Sequence, residues 1–141
     1  MSNDHANWNQ GIIDQFRAHD GTVTSPPFGR DLVLLHHIGA KSGVARVTPV
    51  MSRPLDADTW LVAASKSGAP DNPGWYHNLR AHPDITIEVP GEGEVAVHAE
   101  ELAGTQRDEG WAAFTSYSPR FLDYEKKTTR VIPVIALRRS R

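Results

Sequence analysis

Six short apolar runs, each bounded by a turn signal, constrain this chain more than any other feature. They are DLVLLHHI, VARVTPVMS, WLVAAS, ITIEV, EVAVHA and VIPVIAL, at residues 31–38, 44–52, 60–65, 85–89, 94–99 and 131–137. Runs of this length, rich in Val, Ile and Thr, read as strands. The first two are joined by five residues, GAKSG, the second and third by a turn at Asp56-Ala57-Asp58, and the fourth and fifth by Pro90-Gly91. Links this short join antiparallel neighbours, because a parallel pair needs a long crossover. Few crossover helices are available, which argues against a doubly wound parallel sheet. The fold class expected is mainly β, within α+β: a six-stranded antiparallel barrel with a few flanking helices.

Helical patterns fill the gaps. NWNQGIIDQFRAHDG places Ile12, Ile13 and Phe16 on one face, with Asn7 as N-cap and Gly21 past the end. In DNPGWYHNLR, Asn72 is the expected N-cap and Pro73 the first helical residue, where a missing N–H costs nothing. Residues 105–117 form a third helix, with Trp111 and Phe114 inward, and residues 119–127 a shorter fourth. The terminal RRSR reads as a solvated tail.

With 141 residues, the chain suits one domain, residues 1–141, opened by the amphipathic helix within residues 1–20. It has no cysteine, which excludes disulfides, thiolate metal sites and a cysteine nucleophile. Its formal net charge of −2 gives no pull toward nucleic acid. No apolar run is long enough to span a bilayer, and MSNDHANWNQ lacks a signal core, so a cytoplasmic protein is expected. Asp14 and Asp20 suit a core-packed first helix, and peripheral contact with a membrane stays open.

Two segments carry chemistry. The first is the GAKSG turn. It is no phosphate loop: its opening glycine would fall at Leu35, and VARVTPV cannot supply a helix N-terminus. Gly39 and Gly43 could instead expose consecutive N–H groups as an anion nest, with Ser42 as donor and Lys41 and Arg46 as cations. The bland alternative is a solvated hairpin turn. The second segment is AASKSGAPDNPGWYHNL, residues 63–79, where a strand end, small residues and an aromatic helix start suit a flat anionic ligand. Packing by Trp75 and Leu79 alone is its bland counterpart. His36 and His37 are adjacent on a strand, so they point to opposite faces and cannot easily share a metal. No metal site is expected. Ser65 has no histidine and acid in a nucleophile elbow.

GAKSGVARVTPV, AASKSGAPDNPGWYHNL and SPRFLDYEKKTTRVIPVIAL, in that order and with FRAHDG before them, resemble the deazaflavin-dependent nitroreductase family over most of the chain. The resemblance implies a split β-barrel that binds coenzyme F-420, a deazaflavin whose tail carries a phosphate and glutamate carboxylates. It implies cofactor contacts from Ala40, Lys41, Ser42, Arg46, Val47, Thr48, Pro49, Val50 and Met51. It adds Ala63, Ala64, Ser65 and Lys66 at the strand end, and Gly74, Trp75, Tyr76, His77 and Asn78 on the helix. Met51, Phe121 and Tyr124 would wall a substrate pocket. Met51 and Phe121 stand at tyrosine positions of the family, and Ser118 replaces a further tyrosine, so cofactor use transfers more directly than the substrate.

The function implied is an oxidoreductase in which reduced coenzyme F-420 gives a hydride to a small-molecule acceptor such as a quinone, an enone or a nitro compound. Ser65, Tyr117 and Tyr124 are the candidate proton donors or oxyanion partners. An FMN enzyme on the same barrel, or a carrier without turnover, are the alternatives. A monomer and a homodimer are equally compatible with the sequence.

Overall fold

The computed structural model describes residues 4–24, 29–65, 72–117 and 119–140. Helix α1 (Asp4–Ala18) precedes strands β1 (Leu32–Ile38), β2 (Ala45–Asp56) and β3 (Thr59–Ala63). Helix α2 (Gly74–Ala81) leads to β4 (Asp84–Val89) and β5 (Gly93–Glu101). Helices α3 (Gly104–Tyr117) and α4 (Arg120–Lys127) come before the last strand, β6 (Val134–Arg139). Every strand pairing is antiparallel, and the sheet closes in the order β1-β2-β3-β6-β5-β4. The six expected strands are all present.

Closure is weakest between β1 and β4, which share three residue pairs against seven between β1 and β2. A charged contact crosses that seam. Glu88 accepts from Arg17 of α1 at 2.7 Å and meets His36 Nε2 at 2.7 Å. Arg17 holds the Glu88 carboxyl below the ordinary carboxylate range.

Three apolar clusters follow from strand parity. Val33, Leu35, Val50, Val62, Ile87 and Leu137 fill the barrel, joined by Tyr76 and Leu79 of α2. On the outside, Ile12, Ile13 and Phe16 cover Leu32 and Leu34. Trp111, Phe114 and Phe121 cover Leu61, Ala63, Val134 and Ala136. Among the described residues, no helix is long and apolar enough to cross a membrane.

Several sequence expectations are corrected. Helix α1 begins at Asp4, so Asn7 lies inside it rather than capping it. Pro73 itself is the N-cap of α2, and Asn72 instead accepts from Arg130. Strand β2 runs past Pro54, which falls where the β2–β3 register shifts, a place that tolerates a missing N–H. Strand β6 starts after Pro133, which cannot donate to the ladder. Arg138 and Arg139 are strand residues, not a solvated tail; Arg139 pairs with Asp58 and Glu92. The Ser25-Pro26-Pro27 loop lies outside the described residues.

The exit of α1 is seated on the β4–β5 turn. Gly21 has φ +93°, and a Cβ there would fall 2.4 Å from the Pro90 Cα. The Gly91 amide donates to Asp20 across the same contact. Gly21→Ala is therefore expected to destabilise the fold by about 2–4 kcal/mol, since it adds both strain at positive φ and an unrelievable backbone clash. Chemical denaturation of the two proteins checks this; an unchanged midpoint would show that the docking gives way cheaply.

Candidate functional site

The inward face of the barrel continues beyond its apolar core. On β1 the inward positions run Val33, Leu35, His37, and on β2 they run Val50, Thr48, Arg46. Leu35 lies opposite Thr48, and His37 opposite Arg46. Polar side chains thus replace apolar ones at the end of the barrel where the 39–44 turn leaves β1. They open onto a cleft of about 1010 Å³. The turn contributes Gly39, Ala40, Lys41 and Ser42 to its wall, and β2 adds Arg46, Thr48 and Pro49. Helix α2 supplies Pro73, Gly74, Trp75, His77 and Asn78, and Asn9 of α1 completes the rim.

A chain of hydrogen bonds links these elements. The Ala40 amide donates to Asn78 Oδ1 at 2.9 Å. Asn78 Nδ2 lies 2.9 Å from His37 Nδ1, and His37 Nε2 lies 2.8 Å from Thr48 Oγ1. His37 is 3% exposed and Asn78 9%. Burial, followed by the positive charge of Arg46 and by His36, pushes His37 down to about 4. The imidazole is therefore neutral at pH 7.

The turn is closed by its own bonds. The Gly39 amide donates to the Val44 carbonyl and the Gly43 amide to the Gly39 carbonyl, each at 2.9 Å. The Val44 amide donates to Ser42 Oγ. Gly43 takes φ +69°, and a Cβ at Gly39 would fall 2.3 Å from Ser42 Oγ. The two glycines thus serve turn closure, and the expectation of an exposed backbone nest is corrected: four of its amides are already used. Charge at the turn comes from side chains. Arg17, Arg53, Arg107, Arg138 and Arg139 each pair with a carboxylate. Among the described residues, Lys41 and Arg46 pair with none, as is true of Arg30, Arg80, Arg120, Lys126 and Lys127; Lys41 and Arg46 are the two of these that line the cleft, and both are exposed.

The remaining candidates lie elsewhere. Val50, Ala63 and Ala64 are buried in the apolar clusters. Val47 packs toward α1, and Met51 packs between the two outer clusters. Tyr76 faces away from the cleft and donates to Glu101 at 2.7 Å. Phe121 is 3% exposed, with Phe114 and Tyr124 against its ring. Tyr117 sits under the Arg53 guanidinium and donates its proton to Asp31, which, with burial, raises its pKa. Ser65, at the end of β3, lends its carbonyl to Arg130. Ser65, Tyr117 and Tyr124 do not line the cleft. Lys66 and Ser118 lie outside the described residues. Sequence reasoning missed His37, whose parity with Val33 and Leu35 was the available signal. It also missed Arg130, which bonds to Ala64, Ser65 and Asn72 and so joins the end of β3 to the start of α2.

The profile of the F420H(2)-dependent quinone reductase family matches residues 8–139. An F420H(2)-dependent quinone reductase of Mycobacterium tuberculosis is 38% identical over 110 residues, which cover 76% of this chain and 72% of that protein. The solved structure of an F420-H2 dependent reductase (FDR-A) aligns with TM-score 0.69 and 33% identity, over 77% of this chain and 94% of its own. Another, a domain-swapped dimer, aligns with TM-score 0.70 and 29% identity over 94% and 98%.

The neutral His37 has a consequence for stability. A histidine whose folded pKa lies below its unfolded value contributes full stability above pH 6.5, and that contribution falls as the unfolded chain takes up a proton the native state refuses. The gap between 6.5 and about 4 corresponds to roughly 3 kcal/mol, lost progressively across that window on acidification. Urea denaturation from pH 7.5 to 4 should show this slope, and His37→Phe should remove its share. Parallel slopes in the two proteins would place His37 in solvent.

Proposed function

The chain belongs to the F420H(2)-dependent quinone reductase family, and from that premise we propose that the cleft between the 39–44 turn and α2 is where coenzyme F-420 is held for hydride transfer to a quinone. The protein is an oxidoreductase on a split β-barrel, with coenzyme F-420 as its cofactor. The observation that carries the placement is that two exposed cations without carboxylate partners, Lys41 and Arg46, share the wall of a single cleft with Trp75.

The donor set suits the group. A tail with a phosphate and carboxylates needs cations, and Arg46 offers a planar fork while Lys41 offers a mobile point charge. Ser42 adds a hydroxyl beside them. A flat ring system needs an apolar surface and close backbone approach, which Trp75 and Gly74 provide at the start of α2. Thr48 and Asn78 are the polar groups deeper in the wall. The chemistry the coenzyme supplies is two-electron hydride transfer, which together with a proton takes a quinone to its hydroquinone.

What the chain itself does is bind, orient and set polarity. The turn is already closed by its own hydrogen bonds, so less ordering entropy is lost when the tail docks. Arg46 projects from a strand anchored by the β1 ladder, which fixes its stem and leaves the guanidinium free to swing. Ser65, Tyr117 and Tyr124 are assigned no proton-transfer role in this reading, because the cleft is lined without them. Enones and nitro compounds are further acceptor classes to assay beside quinones.

Titration with coenzyme F-420, followed through tryptophan fluorescence, tests the placement. Arg46→Ala should weaken binding about 10- to 100-fold and Lys41→Ala less, the range expected when a charge-assisted hydrogen bond is lost. Raising ionic strength should weaken the parent protein more than Arg46→Ala. Melting temperatures should barely move, since neither side chain supports the fold. Unchanged affinity in both folded variants would put the coenzyme elsewhere.

A further inference from the structure

We propose that His37 and Asn78 are positioning residues that commit the Thr48 hydroxyl proton to the cleft; this rests on the cleft being the coenzyme site. The argument is one of donor and acceptor logic. A backbone N–H can only donate, so the Ala40 amide fixes Asn78 Oδ1 as the acceptor and leaves Nδ2 as the donor end of that amide. Nδ2 faces His37 Nδ1, which must then be the bare, accepting nitrogen. A neutral imidazole carries its single proton on the other nitrogen. His37 Nε2–H therefore donates to Thr48 Oγ1. A hydroxyl that accepts on one side keeps its own proton for a different partner. Among the described residues Thr48 has no second partner, and its side chain lines the cleft.

The geometry makes this direction robust. The chain runs through the turn, α2, β1 and β2, so its polarity is set by a backbone amide that cannot reverse. Reversing the imidazole would set an N–H of His37 against the N–H of Asn78, a buried clash of donors. The apolar core below, with Leu35 beside His37 and Thr48 in the ladder, offers no substitute partner. The Thr48 proton is thus free for the cleft, and the ligand atom that takes it must be an oxygen or an unprotonated nitrogen. In the coenzyme this is a ring carbonyl or ring nitrogen, or an anionic tail oxygen.

Two measurements test the relay. In the coenzyme-free full chain at pH 7, imidazole 15N signals, assigned by their loss in His37→Gln, should show His37 neutral with Nδ1 bare and Nε2 protonated. A proton on Nδ1, whether as the other tautomer or as the cation, overturns the relay. The second is a binding cycle with oxidised coenzyme F-420. Thr48→Val, which keeps shape and strand preference, should weaken binding about tenfold. His37→Phe should weaken it about fivefold, and the double variant should be within about twofold of Thr48→Val alone, because the two act as one unit. His37→Gln should stay within about twofold of the parent, because its amide offers an acceptor and a donor in the same order. Losses that multiply in the double variant overturn the relay. So does a Thr48→Val protein that binds normally while Arg46→Ala binds weakly, a result that leaves the coenzyme site standing. Normal binding by Thr48→Val, His37→Phe and Arg46→Ala alike overturns both.

Discussion

A buried amide has to be satisfied at both ends, and much of this structure's functional end is arranged around that of Asn78. Its oxygen takes the Ala40 amide and its nitrogen faces His37, so one side chain of α2 ties the turn to β1. Left without those partners it would carry a desolvation penalty of about 1–3 kcal/mol for each missing bond. Satisfied, it sets where the turn lies relative to the helix, and hence the spacing between Lys41 and Trp75 across the cleft. Leu79 and Tyr76, on the other side of the same helix, lie in the barrel's apolar interior. Helix α2 is therefore held by apolar packing on one face and by a polar chain on the other, and the cofactor wall inherits its position from both.

Charge is distributed with the same economy. Elsewhere on the barrel some cations join elements: Arg17 to Glu88 over the β1–β4 seam, Arg139 to Asp58 and Glu92 between hairpin ends. Exposed pairs of this kind contribute modestly to stability, and their value lies in register and in filling every local demand for countercharge. Lys41 and Arg46 differ from the other cations without a carboxylate by their place, since both are exposed on the wall of one cleft. The same positive charge helps to keep His37 neutral, since Arg46 lies opposite it in the ladder. The guanidinium that faces the cleft thus also bears on the protonation of a buried histidine.

The barrel was legible because strand length, β-branching and short turns all point the same way, and antiparallel closure follows from them. Helix faces were equally legible, with Ile12, Ile13, Phe16, Trp111 and Phe114 all inward. Helix caps were not. Asn7 and Asn72 have the right chemistry, but the helices start elsewhere, because tertiary packing decides where a chain with several usable starts begins. Of the candidate site, the turn, its cations and the α2 start share one cleft, while of the strand residues from Val47 to Met51 only Thr48 and Pro49 line it, Val50 lying in the barrel core and Val47 and Met51 on the outer face. His37 and Arg130 were hidden for a different reason. Each acts through partners dozens of residues away, Asn78 in one case and Ala64 and Asn72 in the other. No local pattern carries such a partner.

The aromatic positions show why the acceptor end of the site is harder to read than the cofactor end. Phe121 packs against Trp111, Phe114 and Tyr124 with 3% of its surface exposed. Phenylalanine there thus belongs with a helix α4 fixed by ring packing. Tyr117 keeps its hydroxyl, but commits it to Asp31 under the Arg53 guanidinium. Its raised pKa is the result of that carboxylate contact and so marks a structural lock, not an acid poised toward a ligand. With these rings engaged in packing and pairing, the proposed placement leaves hydrogen bonding to the coenzyme to the β1–β2 end of the cleft. There His37 and Asn78 are buried and bond in a fixed direction, and direction is what a hydride-transferring site needs from a protein whose cofactor carries the chemistry.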